Sequence, residues 1–169
     1  MRLLKVLLIA LVLVVGIVWL VGSRLPQGHV ATRERDFAST ADLVYRAVAT
    51  PTEYPKWRKG VQRVDMLPDS NGISRFRETS MGDEVTYAIE SNVPNRLFVT
   101  RIAQAGPWGG SWTYEITPTG SGAHLRITEE GEVYNPFFRF VSRYILGHTR
   151  SIDGYLDDLE KQLAKGESL

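Results

Sequence analysis

Apolar and polar residues follow three successive patterns along this chain: a solid apolar block, a run of alternation, and a helical stripe. The block comes first. Val6 to Val21 are sixteen apolar residues in a row, counting Gly16, and Leu3, Leu4 and Lys5 extend the stretch to nineteen. A helix of that length spans roughly 28 Å at about 1.5 Å per residue, close to the hydrocarbon thickness of a bilayer. Trp19 lies near one end, where an indole suits the interface. Gly22 and Ser23 offer a weak cleavage site, but the run exceeds the ~7–15 apolar residues of a signal peptide, which favours an uncleaved anchor over cleavage. Arg2 and Lys5 precede the span and Arg24, Arg33 and Arg35 follow it, so charge leaves two orientations open. The tight basic pair on a short tail resembles a signal anchor, giving a single-pass protein with its domain on the non-cytoplasmic side.

After the linker "GSRLPQGH", the stretch "HVATRERDF" reads as a strand whose alternation is blurred by charge. "STADLVYRAVATP" predicts a helix, with Ser39 and Asp42 in an N-capping pattern, Leu43, Val44, Ala47 and Val48 on one apolar face, and Pro51 as its stop. "TEYPKW" predicts a second helical turn that leaves Tyr54 and Trp57 to pack. From Val61 the period changes to two. Six strands follow, separated by turn signals such as Pro68-Asp69-Ser70-Asn71-Gly72 and Gly120-Ser121-Gly122, and such short connections imply an antiparallel meander. Alternation turns Val85, Tyr87 and Ile89 inward, and likewise Phe98, Thr100 and Ile102, then Trp112, Tyr114 and Ile116, then Leu125, Ile127 and Glu129.

The stripe closes the chain. Asn135 as N-cap and Pro136 at the first position open a helix, and Phe137, Phe140, Val141, Tyr144, Ile145, His148, Ile152, Tyr155, Leu156, Leu159 and Leu163 recur at helical spacing. Gly147 and Gly154 mark a bend or a place where the helix leaves room beside the sheet. The predicted fold is therefore α+β: a seven-stranded antiparallel sheet wrapped around a long C-terminal helix, preceded by one transmembrane helix. Residues 1–24 are the anchor, 25–28 the linker, 29–165 the domain and 166–169 a tail. A twisted sheet around one helix leaves space between them, the natural place for a ligand.

Charge and composition narrow the function. Beyond the anchor, residues 25–169 carry 17 Lys/Arg against 19 Asp/Glu, which argues against a nucleic-acid binder. The chain has no cysteine, so disulfides, thiol nucleophiles and thiolate metal sites are excluded. No pair of histidines has metal-binding spacing, and no cofactor is expected. Ser–His–Asp order, a Gly-rich phosphate loop and His-Glu-x-x-His are all missing.

Three stretches resemble the START-like superfamily known as SRPBCC, which includes polyketide cyclases and lipid-transfer domains. They are "STADLVYRAVATPTEYPKWRKGVQRV", the six-strand meander, and "EEGEVYNPFFRFVSRYILGHTRSIDGYLDDLEKQLAK". Trp57 stands where that family usually holds a tryptophan before its second strand. The resemblance covers about residues 29–165 and implies a helix-grip fold with a deep hydrophobic cavity between sheet and last helix. It implies no universal catalytic set, and the extra His, Asp or Cys ligands of its metal-bearing members are not matched here. Fold alone leaves binders, transporters, cyclases and oxygenase subunits open.

Candidate residues follow from register. Glu129 falls on the inner face, where desolvation would raise a carboxyl pKa toward acid–base use; the plainer reading is a paired or solvated strand end. Glu130 and Glu132 straddle Gly131, read as a bulge, and are expected in solvent. His148 is the histidine on the stripe, able to bond a ligand or relay a proton, or simply half-buried; His29 reads as linker and His124 as outward-facing. Tyr87, Thr100, Trp112, Tyr114, Phe140 and Tyr144 are expected to line the cavity with Glu129 and His148, although aromatic residues equally serve plain cores. Trp108, on a loop tip, is a gate, a membrane contact or a local turn residue. Lys56, Arg58, Lys59 and Arg63 form a basic cluster, ready for anionic head groups or merely solvated. The resulting expectation is a membrane-anchored domain that binds a hydrophobic small molecule or lipid, more a binding protein than an enzyme and with no protein partner specified. The alternatives are a cyclase/dehydratase-type enzyme using Glu129 or His148, and an interaction module with a filled core.

Overall fold

The computed structural model describes residues 2–104 and 106–165, so the expected tail at 166–169 lies outside the described residues. The apolar block forms helix α1, Arg2–Arg24. There follow β1 (Gly28–Phe37), α2 (Ala41–Ala49), a 3₁₀ turn at Pro51–Glu53, and α3 (Tyr54–Trp57). Six strands come next, β2 (Val61–Ser70), β3 (Ile73–Ser80), β4 (Asp83–Val93), β5 (Leu97–Ile102), β6 (Trp108–Thr119) and β7 (Gly122–Val133). Helices α4 (Pro136–Val141) and α5 (Arg150–Ala164) end the chain. All strands pair antiparallel in one sheet of order β1-β7-β6-β5-β4-β3-β2. Consecutive hairpins dictate that order, and Asn71 and Gly72, both with positive φ (53° and 76°), make the β2–β3 turn of the kind that suits strand twist.

The core lies between the sheet and α2 and α5. Val44, Val48, Phe98, Leu125, Ile127, Ile152, Leu156 and Leu159 are fully buried, each worth roughly 1.5–3 kcal/mol relative to exposure. The inward sets read from alternation hold: Phe98, Tyr114, Ile116, Leu125 and Ile127 are buried and Arg101 is exposed. Charge blurs β1 because two inward arginines bind α5. Arg33 Nε donates to Asp153 and its Nη2 to Thr149 Oγ1, both at 2.9 Å, while Arg35 pairs with Asp157 (2.9 Å) and Glu160 (3.0 Å). An edge strand thus carries cations exactly opposite the acidic side of the helix it supports.

Three expectations are corrected. The cap of α2 is Thr40, whose hydroxyl accepts from Leu43 N–H, rather than Ser39. Gly131 is no bulge, since β7 keeps unbroken register with both β1 and β6. The C-terminal stripe is not one helix. Asn135 caps α4 as expected, with Pro136 at its start, but a π-helical turn at Ser142–Leu146 follows and Gly147 breaks the chain at φ 74° and ψ 160°. That conformation is open in practice only to glycine.

Candidate functional site

The break at Gly147 lies at the site. Residues on both sides of it, Phe138, Val141 and Ser142 before and His148 and Ser151 after, line a cavity of about 780 Å³. Strand register assembles its sheet wall. Thr100 pairs with Trp112, Trp112 with Glu129, and Glu129 with Ala31, so one inward row crosses four strands. Tyr87 and Ile102, paired between β4 and β5, form the adjoining row. Phe138 and Val141 of α4, with Ser142, His148 and Ser151, close the opposite side.

Polar side chains gather at one end. Glu129 Oε2 accepts from Ser151 Oγ at 3.0 Å, and Glu129 Oε1 lies 3.4 Å from His29 Nε2. The His29 ring stacks on His148 with centroids 3.9 Å apart and planes at 25°. His148 Nδ1 is 3.2 Å from Ser142 Oγ. Burial, then the neighbouring His29, then Arg143 hold His148 below the ordinary imidazole value, so the ring is neutral at physiological pH. Gly131 sits opposite His29 in the β1–β7 pairing, and a Cβ there would collide with the imidazole. The glycine supplies room for the ring. A second, smaller space of about 310 Å³ between the linker and α4 also touches His29 and His148, which therefore stand as a partition between the two.

Of the residues expected at the site, Tyr87, Thr100, Trp112, Glu129 and His148 line the cavity. Tyr114 is buried behind them, its ring 6.0 Å from Trp112 and 5.4 Å from Tyr155. Phe140 of α4 and Tyr144 of the π-helical turn pair with each other at 5.0 Å and lie off the cavity wall. Trp108 is not on a loop tip but begins β6, paired with Val133, and it both lines the cavity and reaches solvent. The basic cluster is dispersed. Lys56 pairs with Glu53 and Arg63 with Asp65, while Arg58 turns inward to Glu78 at 2.6 Å. The Arg58 guanidinium also lies 4.7 Å from the Tyr54 ring centroid and 5.1 Å from that of Tyr155. Tyr87, largely desolvated and near Glu78, has its hydroxyl pKa pushed up to about 12, so it acts as a neutral donor or acceptor.

Sequence reasoning missed His29, Ser142 and Ser151. Alternation back from Phe37 through Arg35, Arg33 and Ala31 would have turned His29 inward, but the charged strand hid that signal. Among the described residues, no group of three or more His, Asp or Glu side chains is placed to hold a metal ion. The arrangement can enclose an apolar body and fix one polar end against a carboxylate, a hydroxyl and an imidazole.

Residues 28–164 match the family model described as polyketide cyclase / dehydrase and lipid transport. No curated protein matches the sequence. Among solved structures, a START superfamily protein from Mycobacterium smegmatis superposes with a TM-score of 0.67 at 16% identity, covering 82% of this chain and 99% of that one. Norcoclaurine synthase from Thalictrum flavum, in complex with dopamine and hydroxybenzaldehyde, gives 0.62 at 19% identity over 84% of this chain and 90% of that one. The Zhui aromatase/cyclase from Streptomyces sp. R1128 gives 0.59 at 14% identity, over 84% and 99%. At these identities the likeness is one of fold.

Proposed function

The chain belongs to the polyketide cyclase/dehydrase and lipid transport family, and we propose that it is a membrane-tethered member that holds a hydrophobic small molecule or lipid between its sheet and C-terminal helices. The cavity carries this reading. Its volume of about 780 Å³ lies within the usual ~300–1,000 Å³ of small-molecule sites, and its exposed lining is mainly apolar, although Thr100, Ser111, Glu130, Glu132 and Arg150 also reach it. Burial would supply roughly 25 cal/mol per Å² of ligand surface, and Glu129, Ser151 and the histidine pair would orient the ligand's polar group. Helix α1, long and apolar enough to cross a bilayer, supports the tether. Arg2 and Lys5 favour the domain on the non-cytoplasmic side.

Native mass spectrometry of the full chain in mild detergent is expected to find a bound apolar molecule, or uptake of one. Val141→Trp, which puts an indole into the cavity and narrows it, should lower uptake of an anilinonaphthalene probe about tenfold. Wild-type protein that is empty and takes up neither lipid nor probe sinks the reading.

One observation favours a second reading, an enzyme of the cyclase type. Glu129 and His29 form a carboxylate–imidazole pair on the cavity wall, with neutral His148 against it. Such a pair suits proton abstraction from a bound carbonyl compound. Enzymes among the structural neighbours, the aromatase/cyclase and norcoclaurine synthase, lend the fold-level analogy. Deuterium exchange at the acidic carbon of a bound β-dicarbonyl probe should then be lost in Glu129→Gln and His29→Asn, and an unchanged rate removes this reading.

A further inference from the structure

Helix α1 is not a free tether. Residues 2–17 are exposed throughout, but Val18, Val21 and Leu25 are half-buried and Gly22 is buried. Val18, Val21 and Gly22 fall at i, i+3 and i+4, the spacing of one helix face, with Leu25 just beyond the helix end, and the face packs on α4. At Gly22 the approach is so close that a Cβ would collide with the Pro136 backbone carbonyl. Arg139 of α4 fastens the junction, with Nε donating to Val133 O at 2.8 Å, Nη2 to Tyr134 O at 2.7 Å and Nη1 to Leu25 O at 3.3 Å.

This fixes a depth. Val18 and Val21 belong to the unbroken apolar block, so if the block occupies the bilayer, α4 beside it stands at the hydrocarbon boundary, whichever side the domain occupies. The segment held at that level is apolar and uncovered. Phe137 is 41% exposed, Phe138 45%, Tyr144 60% and Ile145 67%. Trp108 and Tyr134 are also exposed and adjoin it, through the Trp108–Val133 pairing and the Tyr134 N–H bond to Pro107 O (3.0 Å). Aromatic rings with polar tips favour the headgroup level, and exposed Arg24 and Arg143 flank them there. Phe138 and Trp108 line the cavity as well as the surface, so its mouth lies in this same patch.

We infer that the aromatic face of α4 and the following π-helical turn sits in the bilayer that holds α1, and that the cavity opens sideways into lipid rather than into water. The occupant of the exposed face is the lipid surface itself, and the ligand class is one that partitions into membranes and enters past Phe138 and Trp108. This rests on the tether proposed above. Docking by two elements at once also fits the close α1–α4 packing at Gly22 and Arg139, since a swinging domain would lift its mouth out of the interface.

The chain has no cysteine, so single labelling sites are unambiguous. Spin labels at Phe137→Cys and Ile145→Cys are compared with Val12→Cys inside α1 and Met66→Cys on the far edge strand, all exposed positions where the change costs little. The full chain is placed in phosphatidylcholine vesicles with a minor share of phosphatidylglycerol. Labels at 137 and 145 are expected to collide with oxygen as the label at 12 does, and with a water-soluble nickel chelate about fivefold less than the label at 66. A lipid-exposed 12 with 137 and 145 as water-accessible as 66 overturns the inference and leaves the tether standing. A water-accessible 12 overturns both. Shielding of 137 and 145 from both reagents means that a protein covers the face, which also overturns it.

Discussion

One apolar stripe is put to two uses on either side of Gly147. Beyond the break, α5 turns Ile152, Tyr155, Leu156 and Leu159 into the core against α2 and the sheet. Before it, α4 has no fully buried residue at all, and its rings face solvent or the cavity mouth. Similar residues at similar spacing thus stabilise the fold in one half and are displayed in the other. The difference lies in the backbone, in a π-helical turn and a glycine at positive φ, rather than in hydrophobicity. A fold that must be stable and also leave a cavity can divide those tasks along one apolar stripe.

The sharpest way to break this comparison is to truncate each half. Leu156→Ala removes a fully buried side chain and should cost about 2–5 kcal/mol in chemical denaturation. Ile145→Ala, by the same measurement in detergent, should cost no more than ~0.5 kcal/mol, since its side chain is largely exposed. Equal losses would mean that the π-helical turn before Gly147 belongs to the core after all. A smaller effect is expected at the divide. Nothing lies within 4 Å of a Cβ built on Gly147, so Gly147→Ala meets no steric contact and registers backbone strain alone. The cost should be about 1–2 kcal/mol, with slower ligand exchange if the break lets α4 move. A neutral outcome would show that the break tolerates an ordinary residue.

Most of the sheet was legible because one face is buried and alternation holds through β5, β6 and β7, while the β2–β3 and β4–β5 pairings carry register shifts that the sequence does not announce. The row from Thr100 through Trp112 to Glu129 follows from period two and hairpin connections alone. The start of α4 was equally plain in Asn135-Pro136. The break showed only as the bend read at Gly147, because Tyr144, Ile145 and His148 keep helical spacing through it and periodicity has no signal for a π-helical turn. His29 was hidden by the charges of β1, whose arginines face inward to meet α5. Gly131 resembled a bulge for want of its neighbour, since a glycine that clears space for a ring looks the same in sequence as one that bends a strand. Local signals therefore carried the fold, and the site depended on two pairings distant in sequence, β1 with β7 and His29 with His148.

The smallest effect tests how the two halves meet at that histidine pair. His148 follows the break, and its ring ties the hinge to β1 by stacking on His29. Burial first, then His29 and Arg143, hold its pKa below the ordinary 6.5. As pH falls through about 6.5 the unfolded chain takes up this proton while the folded chain still resists, so the unfolded state binds more protons in that window. The contribution of His148 to stability is therefore complete above the unfolded value. It declines on acidification until the folded value is passed, and is constant below. Thermal unfolding should show a slightly steeper loss from about pH 7 to pH 5 in the wild type than in His148→Asn, which cannot titrate there. A histidine proton NMR titration gives the direct check: a His148 midpoint at or above 6.5 would mean that the ring is solvated, that the stack with His29 does not persist, and that the hinge is not held to β1 in the way the comparison requires.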